Sequence, residues 1–390
     1  MSGVLIIGGG LAAARCAETL RAEGFDGPVA IAAAEAHAPY ERPALSKQHL
    51  SGERDSGSLA LREHAAWSAS GIALHLGSRV ARIDLASRQA LAHSGAVFAF
   101  DTLVLATGAQ PRRHPALSHL PGVLHLRTLD DSVHLSGRCT RGSRLAIVGA
   151  GLIGAEVAST ALALGAAPIL VEAAPAPLVR AFGDDIGALL AERWRAAGAE
   201  VLTGARIREA RHDGNGRVTA LALEDGTAIA CDAILVSIGA VPVTSLVSDQ
   251  LEIAPDGGIA TDASGRTSAP GVYACGDVAS WHRRATGGGI RAENWTSAAQ
   301  QAAVVARAIL GECAPATESP LYAWSDQFGL RLQHVSTGAA WERVEIEGGP
   351  DDFEARYLDR DGCAVAALVA NRPRAVARLR RELAVAPVAA

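Results

Sequence analysis

Two glycine-rich turns, two carboxylates set behind them, and one lysine are the residues of this chain that point to chemistry. The first turn, Gly8-Gly9-Gly10-Leu11-Ala12-Ala13, follows the apolar run Val4-Leu5-Ile6-Ile7. Gly8 permits the tight turn, and Gly10 lets the backbone approach a pyrophosphate seated at the N-terminus of the next helix. Ala13 replaces the third glycine of this fingerprint. The second turn follows Arg144-Leu145-Ala146-Ile147-Val148 and carries the full set, Gly149, Gly151 and Gly154. Glu35 lies 25 residues beyond Gly10, and Glu172 lies 21 beyond Gly151. Each closes an apolar segment where a carboxylate can accept hydrogen bonds from a ribose. An acid at 172 favours NAD over NADP, because it repels a 2′-phosphate.

One such fingerprint can arise in any tight strand-to-helix turn. Two of them, 141 residues apart with acids at matching distances, imply two dinucleotides. The economical pair is a flavin, FAD, and a nicotinamide, NAD. Further signals agree. Thr102-Leu103-Val104-Leu105 leads into Ala106-Thr107-Gly108, small residues where a backbone passes close to a cofactor. Gly271-Val272-Tyr273-Ala274-Cys275-Gly276-Asp277 ends a strand in Gly-Asp. Asp277 suits ribityl hydroxyls, or a turn or helix cap.

Lys47 is the one lysine; the chain has 36 Lys plus Arg, so the other 35 are Arg. A position that stays Lys under such a bias needs a compact, tunable point charge, which the planar guanidinium does not give. It sits in Pro39-Tyr40-Glu41-Arg42-Pro43-Ala44-Leu45-Ser46-Lys47, downstream of the first turn.

The elements that must position these groups are buried parallel strands followed by helices. The pattern predicts helices to about Gly24 and Gly165, strands at Val29 to Ala33 and Pro168 to Val171, and a helix from near Trp295. At 390 residues, two or three domains are expected. The net charge of −5 gives no reason to expect nucleic-acid binding. No apolar stretch reaches the roughly 18 residues that span a bilayer, and the first strand lacks the features of a signal peptide. A cytoplasmic protein, monomeric or weakly dimeric, is expected. Cys16, Cys139, Cys231, Cys275, Cys313 and Cys363 are scattered, with no metal knuckle or redox dithiol.

The chain resembles the FAD-dependent NADH:ferredoxin reductases of bacterial oxygenase systems, among them putidaredoxin reductase, rubredoxin reductase and the reductases of aromatic-ring dioxygenases. The resemblance covers essentially the whole chain. It is carried by GGGLAAA at 8–14, PYERPALSK at 39–47, LATG at 105–108, LRTLDD at 126–131 and VGAGLIGAEVA at 148–158. VYACGDVASW at 272–281, ENW at 293–295, WSDQF at 324–328 and NRPR at 371–374 complete it. It implies an α/β fold with two Rossmann-like domains of glutathione-reductase-like architecture and a small α+β C-terminal domain. The FAD domain would take 1–109 and 232–311, an inserted NAD domain 110–231, and the C-terminal domain 312–390.

By the same resemblance, Ala12, Glu35, Lys47, Val80, Arg127, Asp277 and Trp295 fall where the family contacts FAD. Gly149, Gly151, Gly154, Glu156 and Glu172 fall at the NAD site. Gly8, Gly10, Ala13, Arg42, Ala106 and Glu293 stand as further cofactor-binding candidates. Lys47 would pair with Glu156 beside the flavin, and these two are the catalytic candidates. No metal site is expected. Ala33-Ala34 stand where relatives often have Gly-Asp, which leaves the ribose contact to Glu35. The implied reaction passes a hydride from NADH to FAD, then single electrons to a small acidic [2Fe-2S] ferredoxin that serves an oxygenase. Trp295 or Trp324 would shield the flavin, line the electron exit, or simply pack. Candidate docking cations are Arg112-Arg113, Arg283-Arg284 and Arg372 to Arg381. The alternatives are a rubredoxin reductase and an interaction flavoprotein like apoptosis-inducing factor. A disulfide reductase needs a dithiol, and a thiol-based oxidase needs a cysteine within 40–47; neither is present.

Overall fold

The computed structural model describes residues 3–117, 120–313 and 318–384. Val4–Ile7 is buried at every position, as a strand covered on both faces must be. It lies at the centre of a parallel five-stranded sheet in the order Val272–Ala274, Thr102–Leu105, Val4–Ile7, Val29–Ala32, Ile72–His75. Helices Leu11–Ala22 and Trp295–Ile309 pack on each other and share its core. An antiparallel meander, Val80–Asp84, Gln89–Ala92 and Val97–Ala99, lies in the chain between Ile72–His75 and Thr102–Leu105.

The second sheet repeats the pattern. Its parallel order is Glu200–Leu202, Ala167–Val171, Arg144–Val148, Ala233–Val236, Val123–Leu124. Ala233–Val236 therefore belongs to this sheet, beyond the limit of 231 expected for the inserted segment. The reason is the open edge of Arg144–Val148, which this fully buried strand covers. Both predicted helices end two residues earlier than expected, at Ala22 and Ala163. The chain crosses between the sheets twice, and the crossings, Ala109–Pro111 and Ala240–Pro242, pair antiparallel.

The third sheet is antiparallel, in the order Leu321–Gln327, Leu330–Ser336, Ala364–Ala370, Asp352–Leu358, Arg343–Gly349. Its two faces alternate along one strand. Ala366, Leu368 and Ala370 share a core with Phe182, Ile186, Leu190 and Trp194 of helix Val179–Ala196. Ala367 and Val369 pack under Val376, Leu379 and Leu383 of helix Pro373–Ala384. Those three residues recur at helical spacing, so the terminal helix presents one apolar stripe to the sheet. Among the described residues, no helix is long and apolar enough to cross a membrane.

Candidate active site

Gly10 and Gly151 are the N-caps of helices Leu11–Ala22 and Leu152–Ala163. Neither helix has a side-chain cap or an acidic residue in its first turn. Their first backbone N–H groups and positive dipole ends are left for an anion. Both turns line one continuous cleft of about 1370 Å3. A single small-molecule site occupies roughly 300–1,000 Å3, so this cleft has room for two nucleotides. Gly8 has φ +132°, and a β-carbon there would stand 2.0 Å from the Ala106 carbonyl oxygen. Only glycine fits that close crossing.

Ala13 and Gly154, expected at the nucleotides, lie behind the turns and do not line the cleft. Ala13 is fully buried, and a β-carbon at Gly154 would stand 2.4 Å from the Gly149 oxygen. Both set a helix close against its strand, which is the third position's part in the fingerprint.

The other candidates all line the cleft: Gly8, Gly10, Ala12, Glu35, Arg42, Lys47, Val80, Ala106, Arg127, Asp277, Glu293 and Trp295 with Gly149, Gly151, Glu156 and Glu172. In the first half, Glu35 accepts hydrogen bonds from the Tyr40 hydroxyl and from Arg42, each at 2.6 Å. Burial holds the Tyr40 phenol well above its ordinary range, so it remains a donor. The Arg42 guanidinium lies 5.1 Å over the Tyr40 ring and donates to the Arg127 carbonyl. Arg127 and Asp277 form an ion pair at 2.8 Å. The Arg127 N–H donates to Asp131, which closes a capping box with Thr128 at helix Leu129–Ser136. Glu293 pairs with Arg291, which also donates to the Asp277 carbonyl.

In the second half, Glu172 accepts N–H bonds from Ala150 at 2.9 Å and Ala174 at 2.8 Å, so its carboxylate is fixed over the glycine turn. Arg180 and Arg206 also line this half. Lys47 joins the halves. Its Nζ lies 3.0 Å from Glu156 Oε2, and both side chains are nearly buried. Glu156 also accepts from Ser46 and, at its other oxygen, from Ser325 at 2.7 Å. Nothing in the local sequence marks Ser325 or Tyr40 as part of the site, although they stand within WSDQF at 324–328 and PYERPALSK at 39–47.

Trp295 opens its helix, where Asn294 caps Ser297. Its ring centroid lies 6.1 Å from that of Trp324, edge to face, and Trp324 stacks at 6.1 Å on Tyr322. The Arg380 guanidinium covers Tyr322 at 5.2 Å. Some expected docking cations are engaged internally. Arg283 is largely buried beside Glu318 and donates to the Ser319 carbonyl. Arg372 pairs with Asp352, and Arg378 with Glu354 and Glu382. These side chains neutralise local carboxylates. Cys275 is the one cysteine among the described lining residues, and desolvation pushes its thiol up to about 12. It is a buried apolar filler, not a thiolate.

Residues 2–302 match the family described as pyridine nucleotide-disulphide oxidoreductase, and residues 322–387 match the reductase C-terminal family. The chain belongs to the pyridine nucleotide-disulphide oxidoreductases. It is 38% identical to the biphenyl dioxygenase system ferredoxin–NAD(+) reductase component of Paraburkholderia xenovorans (strain LB400), over 95% of this chain and 90% of that one. It is 36% identical to the corresponding component of the p-cumate 2,3-dioxygenase system of Pseudomonas putida, over 98% and 93%. The structure of a covalent putidaredoxin reductase–putidaredoxin complex superposes with a TM-score of 0.94 at 30% identity, covering 98% of this chain and 93% of that chain. The two uncapped turns, the open face at Gly151 and the fixed carboxylates Glu35 and Glu172 fit two dinucleotides, FAD and NAD(H). These are the cofactors of the family's ferredoxin reductases.

Proposed function

We propose that this protein is an NADH-dependent flavoprotein reductase that delivers electrons, one at a time, to a small [2Fe-2S] ferredoxin serving a cytochrome P450 or Rieske-type oxygenase. The observation that carries the reading is the single cleft joining both glycine turns, with Lys47 and Glu156 meeting between them. The relatives' names support the acceptor. A cytoplasmic location and a monomer or weak homodimer accord with it.

Bound FAD supplies a carrier that takes a hydride from NADH and gives single electrons onward. The protein's own groups do the rest. The sheet around Val4–Ile7 holds FAD through the Gly8–Gly10 turn, Glu35, Arg42, Arg127 and Asp277. The sheet around Arg144–Val148 holds NAD(H) through Gly149, Gly151 and Glu172. Lys47 supplies a preorganised cation in a largely dry site, where it stabilises negative charge far better than in water. Glu156 holds that ammonium in place. The contiguous aromatic run Trp295, Trp324 and Tyr322 leads from the cleft to Arg380. An acidic ferredoxin would meet Arg380 together with the exposed Arg374 and Arg381 on the same helix.

The test is NADH-dependent reduction of cytochrome c by the purified, FAD-loaded protein. Reduction that requires an added [2Fe-2S] ferredoxin supports the proposal. Reduction that rubredoxin supports and ferredoxin does not would replace the acceptor. Slow NADH oxidation indifferent to either carrier would reject the proposal in favour of an interaction flavoprotein.

A further inference from the structure

Helix Leu152–Ala163 is apolar apart from Glu156, Ser159 and Thr160. At spacings of three and four, these three residues share one face. Among the described residues, each finds its side-chain partner outside its own sheet unit. The Thr160 hydroxyl donates to the Ser46 carbonyl at 2.8 Å. Glu156 Oε2 takes Lys47 and Ser46 from the first unit. Glu156 Oε1 takes the Ser325 hydroxyl at 2.7 Å, and the Ser159 hydroxyl accepts the Phe328 N–H at 2.7 Å, both from the third sheet's first hairpin. Behind Ser325, the Gln327 amide donates to the serine oxygen at 3.0 Å. Exposure at the junction is 2% for Ser46, 4% for Glu156, 1% for Ser325 and 3% for Gln327.

Ser325 has one proton to give. With Gln327 donating to its oxygen, that proton is directed at Glu156. Removing the hydroxyl leaves a buried carboxylate oxygen short of a donor and releases the carboxylate's rotation. The other oxygen of the same carboxylate holds Lys47. We propose that Ser325 is a positioning residue for Lys47, so the C-terminal sheet takes part in setting the cation beside the cleft. This inference rests on the reading of Lys47 given above.

Because the chain has a single lysine, its amine chemistry reports on one side chain. The experiment measures acylation of Lys47 by an amine-reactive ester in the FAD-loaded protein. Peptide mass spectrometry quantifies it against the α-amino group. Alongside, the rate of flavin reduction is measured at saturating NADH. Ser325→Ala is expected to raise the Lys47 labelling rate about 10-fold and to slow flavin reduction by a similar factor, with the dissociation constant for NADH unchanged. Ser325→Thr, which keeps the hydroxyl, should restore both. Gln327→Leu should move both in the same direction by less, and stands in if Ser325→Ala does not fold.

Wild-type labelling in Ser325→Ala, alongside faster labelling in Glu156→Ala, would overturn the inference and leave the Lys47–Glu156 pairing intact. Unchanged labelling in Glu156→Ala as well would overturn both.

Discussion

Lys47 and Glu156 are 109 positions apart in sequence, yet Nζ and Oε2 lie 3.0 Å apart at the meeting of the two glycine-turn units. Lys47→Ala is expected to slow flavin reduction by NADH roughly 30- to 100-fold, about 2–3 kcal/mol of barrier. FAD content should stay near wild type. Stopped-flow absorbance with a flavin count checks it, and unchanged reduction would remove Lys47 from the chemistry.

Glu156→Ala carries a different signature. It strands a nearly buried ammonium, and loss of one partner of a buried pair costs about 3–5 kcal/mol. Denaturant unfolding should report a loss of that order, larger than that of Lys47→Ala, where the carboxylate keeps Ser46 and Ser325.

Glu172 is held by two backbone N–H groups at the end of its strand. Glu172→Ala should raise the KM for NADH about 10-fold and narrow the preference over NADPH, since the repulsion of a 2′-phosphate goes with it. Steady-state assays with both nucleotides decide this, and an unaltered ratio would count against the ribose assignment.

Arg380 and Arg283 separate the docking possibilities. Arg380→Glu should lower ferredoxin reduction several-fold, with a weaker salt dependence, while ferricyanide reduction holds. Ferredoxin turnover should be far less sensitive to surface charge near Arg283, whose guanidinium is spent on Glu318 and Ser319. Equal loss with both acceptors in Arg380→Glu would exclude docking there.

His334 gives the fold an acid-sensitive point. It is half-buried between the Phe182 and Tyr357 rings, and desolvation lowers its pKa from 6.5 to about 4. The unfolded chain takes up the proton below its ordinary pKa, and the folded one resists it. This contribution is therefore present above pH 6.5 and is lost as pH falls toward 4, on the order of 3 kcal/mol across that window. His334→Leu should flatten the unfolding free energy between pH 6.5 and 4. The same slope in wild type and variant would rule His334 out.

Much of this architecture was legible in the sequence because each half of it is local. A buried strand, a glycine turn and a helix announce themselves within about twenty residues, as at Val4–Ile7 and Arg144–Val148. The lysine stretch also stood out, because its composition broke with the rest. What stayed hidden depends on contacts between distant segments. The membership of Ala233–Val236 in the second sheet is decided by which edge it covers, not by its own residues. The burial of Arg283 and the pairing of Arg372 and Arg378 come from carboxylates on neighbouring elements. Ser325 looked like any strand serine until the hairpin carrying it met helix Leu152–Ala163. Ala13 and Gly154 were placed at the nucleotides by motif, whereas their small size serves the packing behind the turns.

The paired crossings Ala109–Pro111 and Ala240–Pro242 give the molecule a mechanical character. Two strands laced edge to edge behave as a ribbon, stiff in its own plane and compliant across it. Any change in the tilt of one unit against the other would have to bend both crossings together. Lateral slippage, which would misalign the two turns, is the motion the ribbon opposes.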